Sequence, residues 1–140
     1  MGLRYADVAE GTEIGAESYP VTRLNLVKYA GASGDFNVIH WNERIARSVG
    51  LPNVIAHGMF TMAEAGRFVT DWAGAAATVL EFGVRFSAPV VVPDDDEGAV
   101  IEVSGRITEK LDANRVVLAL TARSGEAKVL TQARAVVRLS

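Results

Sequence analysis

Apolar residues recur at helical spacing in the first half of the chain and alternate with polar ones in the second. Residues 3–20 read as an opening strand with turns around Gly11 and Gly15. Thr22 is placed to cap a short helix from Arg23 to about Ala30, with Leu26, Val27 and Ala30 on its inner face. Gly31, Ser33 and Gly34 are expected to break it. Asn42 opens a second helix through Ile45, Ala46 and Val49, which Gly50 and Pro52 end. A third helix, from about Gly58 to Trp72, carries Met59, Met62, Ala63, Gly66 and Val69 at spacings of three and four. Phe60, Ala65, Phe68 and Trp72 widen that apolar face, and Glu64, Arg67 and Asp71 leave only a narrow polar stripe. A helix this apolar around its circumference is expected to be mostly buried.

After Gly74 the period shortens to that of a strand. Val79–Phe86, Ile101–Thr108, Val116–Ala122 and Lys128–Leu139 read as four strands, with Pro89 and Pro93 marking strand ends. In the last of them Leu130 and Val136 interrupt the polar face, where a partner subunit is expected to cover them. Helices first and strands joined by short turns afterwards describe an α+β domain with an antiparallel sheet. A nearly all-apolar helix must lie against that sheet. Periodicity alone goes no further.

The 140 residues suit one domain, and 49% hydrophobic with 22% charged residues describes an ordinary globular chain. A net charge of −3, with Lys and Arg scattered, leaves no electrostatic footprint for nucleic acid. The absence of cysteine excludes disulfides and thiolate chemistry. The first residues lack the apolar stretch of a signal peptide, and no apolar run is long enough to span a bilayer. The expected location is therefore the cytoplasm.

Two polar clusters interrupt the apolar pattern. The first is Ser33-Gly34-Asp35-Phe36-Asn37-Val38-Ile39-His40, between the two short helices. It offers a carboxylate, an amide and an imidazole within six positions. Asp35 and Asn37 also suit plain Asx-turns and His40 a satisfied loop residue, and spacing alone leans to that plainer reading. The second is Ile55-Ala56-His57-Gly58-Met59, where the apolar helix begins. A helix N-terminus presents unpaired N–H groups and partial positive charge, and glycine admits a ligand close to the backbone. Taken alone, His57 and Gly58 read more simply as a plain helix start. Together the clusters match the needs of hydrating a conjugated thioester. A carboxylate–imidazole pair holds and deprotonates one water. A helix N-terminus polarises the thioester carbonyl, where charge gathers.

Tyr29-Ala-Gly-Ala-Ser-Gly-Asp35-Phe-Asn37-Val-Ile-His40, with Ala46 beyond it, resembles the signature of the MaoC-like, (R)-specific enoyl-thioester hydratases. Ala56-His57-Gly58-Met59 resembles the family's second motif, and Val84-Arg85-Phe86 with Pro89 its first long strand. The likeness runs from about Thr12 to the C-terminus. It extends to the B subunits of mycobacterial (3R)-hydroxyacyl-ACP dehydratases. The resemblance implies a single hot-dog domain over residues 1–140, an antiparallel sheet wrapped around a long central helix, and a dimer. It implies reversible interconversion of trans-2-enoyl and (3R)-hydroxyacyl thioesters. Asp35 and His40 match the pair that holds the catalytic water, Asn37 the supporting asparagine, and Gly58 the backbone oxyanion donor. His57 and Met59 are expected to touch substrate. No metal and no separate cofactor is expected, since CoA or the ACP phosphopantetheine belongs to the substrate. The partner is either a second copy or a second hot-dog subunit. Val38 replaces the family's usual proline, and Gly66 stands where some bacterial hydratases have a serine.

A hot-dog thioesterase and a non-catalytic substrate-binding subunit are the competing readings; the intact Asp35/Asn37/His40 spacing argues against both. Asp94-Asp95-Asp96-Glu97-Gly98 lacks the alternating ligands of a calcium loop and reads as a solvated turn.

Overall fold

The computed structural model describes residues 2–140. Its elements run β1 (Glu13–Val21), α1 (Arg23–Ser33), α2 (Glu43–Ser48), α3 (Gly58–Ala73), β2 (Thr78–Phe86), β3 (Ala99–Lys110), β4 (Arg115–Ser124) and β5 (Ala127–Arg138), with single 3₁₀ turns at Tyr5–Asp7 and Val38–His40. The strands form one antiparallel sheet in the order β1-β3-β4-β5-β2. Helix α3 lies against it, touching β1, β2, β3 and β5. This is the hot-dog arrangement: a five-stranded sheet around one long helix.

Alternation explains the sheet. Ile101, Val103, Gly105 and Ile107 point inward along β3 while Glu102, Arg106 and Thr108 face out. Each fully buried Val, Leu or Ile contributes about 1.5–3 kcal/mol. The core is built of these, with Val21, Val103, Val116 and Leu118 wholly inaccessible. Ala113 and Asn114, both at positive φ, turn β3 into β4 as a tight hairpin requires.

The helix caps form as expected. The Thr22 hydroxyl accepts from the Asn25 N–H, and the Asn25 side chain returns a bond to the Thr22 N–H. Asn42 accepts from the Ile45 N–H to start α2. Helix α1 runs through Gly31 and stops only at Gly34, whose φ of 76° is a left-handed cap. Its Val27 is 59% exposed rather than inward.

Three further expectations are revised. The core face of α3 is Thr61, Ala65, Phe68, Val69 and Ala73. Met59 and Ala63 are exposed. The helix is thus half covered within one chain, not mostly buried. Leu130 and Val136 are already buried by the chain itself, so no partner is needed to cover them.

Asp94–Gly98 is a turn in which the Asp95 carboxylate accepts from the Glu97 and Gly98 N–H groups. Among the described residues, no helix is long and apolar enough to cross a membrane. The connection from β2 to β3 crosses to the far side of the sheet through buried Val90 and Val92. It braces the stretch before α3: Ala56 N–H donates to the Val90 carbonyl and Val92 N–H to the Val54 carbonyl.

Candidate active site

Two chain segments build the site. The first leaves α1 at Gly34 and runs to His40. Within it the Asp35 carboxylate accepts from the Asn37 N–H, and the Asn37 side chain accepts from the Ile39 N–H. The Asx-turns anticipated as a purely structural reading therefore exist. They also hold the Asp35 side chain, 52% exposed, on the same side as His40. Trp41, itself 51% exposed, donates from Nε1–H to the Phe36 carbonyl and so ties the end of the loop to its middle. Val38 begins the 3₁₀ turn, and its N–H makes no hydrogen bond among the described residues, so a proline there would cost none.

The second segment, Ile55–Gly58, leads into α3. Ile55 N–H donates to the Ile39 carbonyl, and the Ile55 carbonyl accepts at 2.7 Å from His40 Nδ1. A carbonyl only accepts, so Nδ1 carries the hydrogen in neutral His40. The lone pair is left on Nε2, which lies 3.9 Å from Asp35 Oδ2. That separation exceeds a direct hydrogen bond, yet one water with bonds of about 2.8 Å reaches both atoms. Burial lowers the His40 pKa from its ordinary 6.5; the Ile55 carbonyl opposes this, His57 adds to it, and Asp35 opposes it.

His57 is 1% exposed. Its Nε2–H donates at 3.0 Å to the Asp35 main-chain carbonyl. Its ring stacks on His40 at 3.8 Å and 22°, and meets Tyr29 edge-on at 4.8 Å. Its Nδ1 is buried without a partner among the described residues, an orphan acceptor that costs about 1–3 kcal/mol. His57 thus lies beneath the pair, and Met59, the other residue expected to touch substrate, is 57% exposed.

Gly58 is the first residue of α3, and its N–H has no partner among the described residues. It lines a cleft of about 310 Å³ whose other walls include Thr61, Phe86, Ala88 and Val129. A Cβ at Gly58 would come within 3.1 Å of the Phe86 ring, so glycine here keeps the helix end open under that ring. At Gly66 a Cβ would come within 3.2 Å of the Phe82 ring, which leaves little room for the serine some relatives carry.

Asp35, His40 and His57 each present a potential ligand atom, all within 4.8 Å of one another. His40 Nδ1 is already committed to the Ile55 carbonyl and His57 Nε2 to the Asp35 carbonyl, which leaves His57 only its buried Nδ1. The arrangement as it stands fits a held water better than an ion.

The sequence had placed Asp35, Asn37, His40 and Gly58 in these segments, and the structure brings them to one end of α3. It missed the Ile55 carbonyl, which sets the form of His40. No side-chain pattern signals that role, since every residue has a carbonyl. Tyr29 was visible in the motif, but its contact with His57 was not.

Residues 7–124 match the family described as MaoC like domain. The 3-hydroxyacyl-thioester dehydratase X of Mycobacterium tuberculosis is 37% identical over 73 residues, covering 52% of this chain and 25% of that protein. The (R)-specific enoyl-CoA hydratase of Rhodospirillum rubrum is 28% identical over 140 residues, covering 93% of this chain and 92% of that one. A solved MaoC-like dehydratase superposes with a TM-score of 0.94 at 39% identity, covering 99% of this chain and 43% of its own. The chain thus spans about a quarter of the mycobacterial relative and less than half of that solved protein, but nearly all of the hydratase. With the family matched over most of its length and the hot-dog fold built around the paired segments, the chain belongs to the MaoC-like domain family.

Proposed function

We propose that this chain catalyses the reversible hydration of a trans-2-enoyl thioester to the (3R)-hydroxyacyl thioester, on CoA or an acyl carrier protein. The observation that carries this reading is the His40–Asp35 pair. His40 Nδ1 is committed to the Ile55 carbonyl, and Nε2 faces Asp35 Oδ2 at a distance that one water bridges.

In the hydration direction, Asp35 and His40 Nε2 hold the water. Its oxygen bonds to C3 of the enoyl group as His40 Nε2 takes one of its protons. The electron pair of the C2=C3 bond moves toward the thioester oxygen, where the Gly58 N–H and the positive end of α3 stabilise it. His40 then returns the proton to C2, and the protein ends in its starting state. Dehydration runs through the same groups in reverse. Asp35 stabilises the transient imidazolium. Asn37 supports Asp35 through the turn they share. The carrier's phosphopantetheine arm travels with the substrate, so the reaction needs no other cofactor. The names of the mycobacterial dehydratase and the R. rubrum hydratase support this class of reaction.

The working unit in this reading is a dimer, of two copies or with a second hot-dog subunit. Strand β2 supports it, being a sheet edge with no buried residue and with Val79, Leu80 and Phe86 exposed.

The test is to mix purified protein with short and long trans-2-enoyl-CoA and follow loss of the conjugated absorbance, with free thiol assayed in parallel. Hydration without thiol is expected. Thiol release would make the chain a thioesterase. No reaction with CoA or carrier-protein substrates, alone or with a second hot-dog subunit, would overturn the proposal.

A further inference from the structure

Asp35 sits on a short irregular stretch between helices, its side chain half exposed. Among the described residues, nearly every hydrogen bond made by residues 34–37 stays within residues 30–42. The exception is the bond from His57 Nε2–H to the Asp35 carbonyl, which spans 22 positions of chain. The same ring lies flat on His40 and is braced by Tyr29. One side chain thus touches the carboxylate's backbone and the base's ring, and it stands next to the unpartnered Gly58 N–H.

Packing alone does not account for a histidine here. A phenylalanine would fill a similar space and leave no orphan; His57 instead buries an unpartnered Nδ1. The nitrogen in use is Nε2. We propose that His57 is a positioning residue: its Nε2–H fixes the Asp35 backbone relative to His40 and to the start of α3, and so sets the gap in which the water is held. This goes beyond the substrate contact expected of it and rests on the hydratase reading above.

The mechanical consequence is specific. Without the bond, Asp35 is tied only to its own loop, and the gap to His40 varies with the loop. Substrate binding is left alone, because the ring does not reach the open cleft. The loss therefore falls on kcat and leaves KM nearly unchanged.

Two variants of the full chain separate bond from ring. His57→Phe keeps a ring against His40 and deletes the donor. His57→Gln deletes the ring and carries an amide N–H to about the place of Nε2. With a short trans-2-enoyl-CoA, His57→Phe is expected to lower kcat by about 10- to 100-fold at nearly constant KM. His57→Gln is expected to recover most of that loss. A folded His57→Phe with kcat within about twofold of the parent would overturn the proposal. So would a glutamine variant as slow as the phenylalanine one, which would assign the effect to the ring. Imidazole ¹⁵N spectra of the parent near neutral pH give a readout independent of turnover and of variant folding. They should show His57 hydrogenated at Nε2 and His40 at Nδ1; a His57 hydrogenated at Nδ1 would overturn the proposal. If the parent itself hydrates nothing, the hydratase reading fails while the spectra still decide the role of His57.

Discussion

In the proposed mechanism, His40 is made a base by its surroundings. The Ile55 carbonyl accepts a hydrogen bond from Nδ1–H and leaves the Nε2 lone pair free toward Asp35. His40→Ala and Asp35→Asn are each expected to lower turnover by roughly 10²–10⁴-fold while both variants still fold cooperatively. Steady-state kinetics beside thermal melts check this; near-normal turnover in either variant would remove that residue from the mechanism. The lowered His40 pKa, set first by burial, carries a stability consequence. The unfolded chain takes up this proton near pH 6.5 and the folded chain only below it. The residue's contribution to stability is whole above about pH 6.5 and is lost as the pH falls through the lower, folded value. Melts from neutral pH downward should therefore fall more steeply for the parent than for His40→Gln across that window. Parallel curves would show that His40 is not buried as described.

At the level of elements, the start of α3 separates electrostatics from sterics. Proline is well suited to the first position of a helix, and it lacks the N–H. His57, at φ −58° and ψ 135°, already has the backbone a residue before proline requires. Gly58→Pro is thus expected to preserve the helix and lower kcat by about 10²–10³-fold. Gly58→Ala keeps the N–H and crowds Phe86 alone, and it should cost far less. Equal losses in the two would place the effect in crowding. The elements themselves were legible wherever one face is clearly apolar: β3 alternates cleanly, and Thr22 and Asn42 announce their helices. The facing of α3 was not legible. A helix apolar on most sides satisfies several three-and-four stripes at once, and Thr61, polar in type, lies in the core while Met59 does not. The Asp35/His40 spacing could be read because its chemistry resides in side chains. The bonds that orient the pair, from Ile55 and His57, could not, since they join residues 15 and 22 positions apart.

Across the whole molecule, the order of the sheet leaves β1 and β2 at its edges, and only β2 has no buried residue. Unpaired edges with apolar side chains are templates for association. Sedimentation of the isolated chain is expected to show twice the chain mass, and Leu80→Lys to return it to a monomer. A monomer at tens of micromolar would contradict self-pairing. The stretch before α3 holds a last consequence. The acceptor of the His40 Nδ1–H, the ring stacked on His40 and the unpartnered Gly58 N–H all lie within the four residues from Ile55 to Gly58, clamped from both sides by Ile39 and Val90. Under the proposed mechanism, a change in that stretch detunes proton transfer and charge stabilisation together, so neither is free to drift alone. In the same reading, acyl-chain preference would have room to diverge elsewhere, at Phe86, Ala88 and Val129 on other segments of the cleft. A lineage built on this plan would vary what it accepts long before it varied what it does.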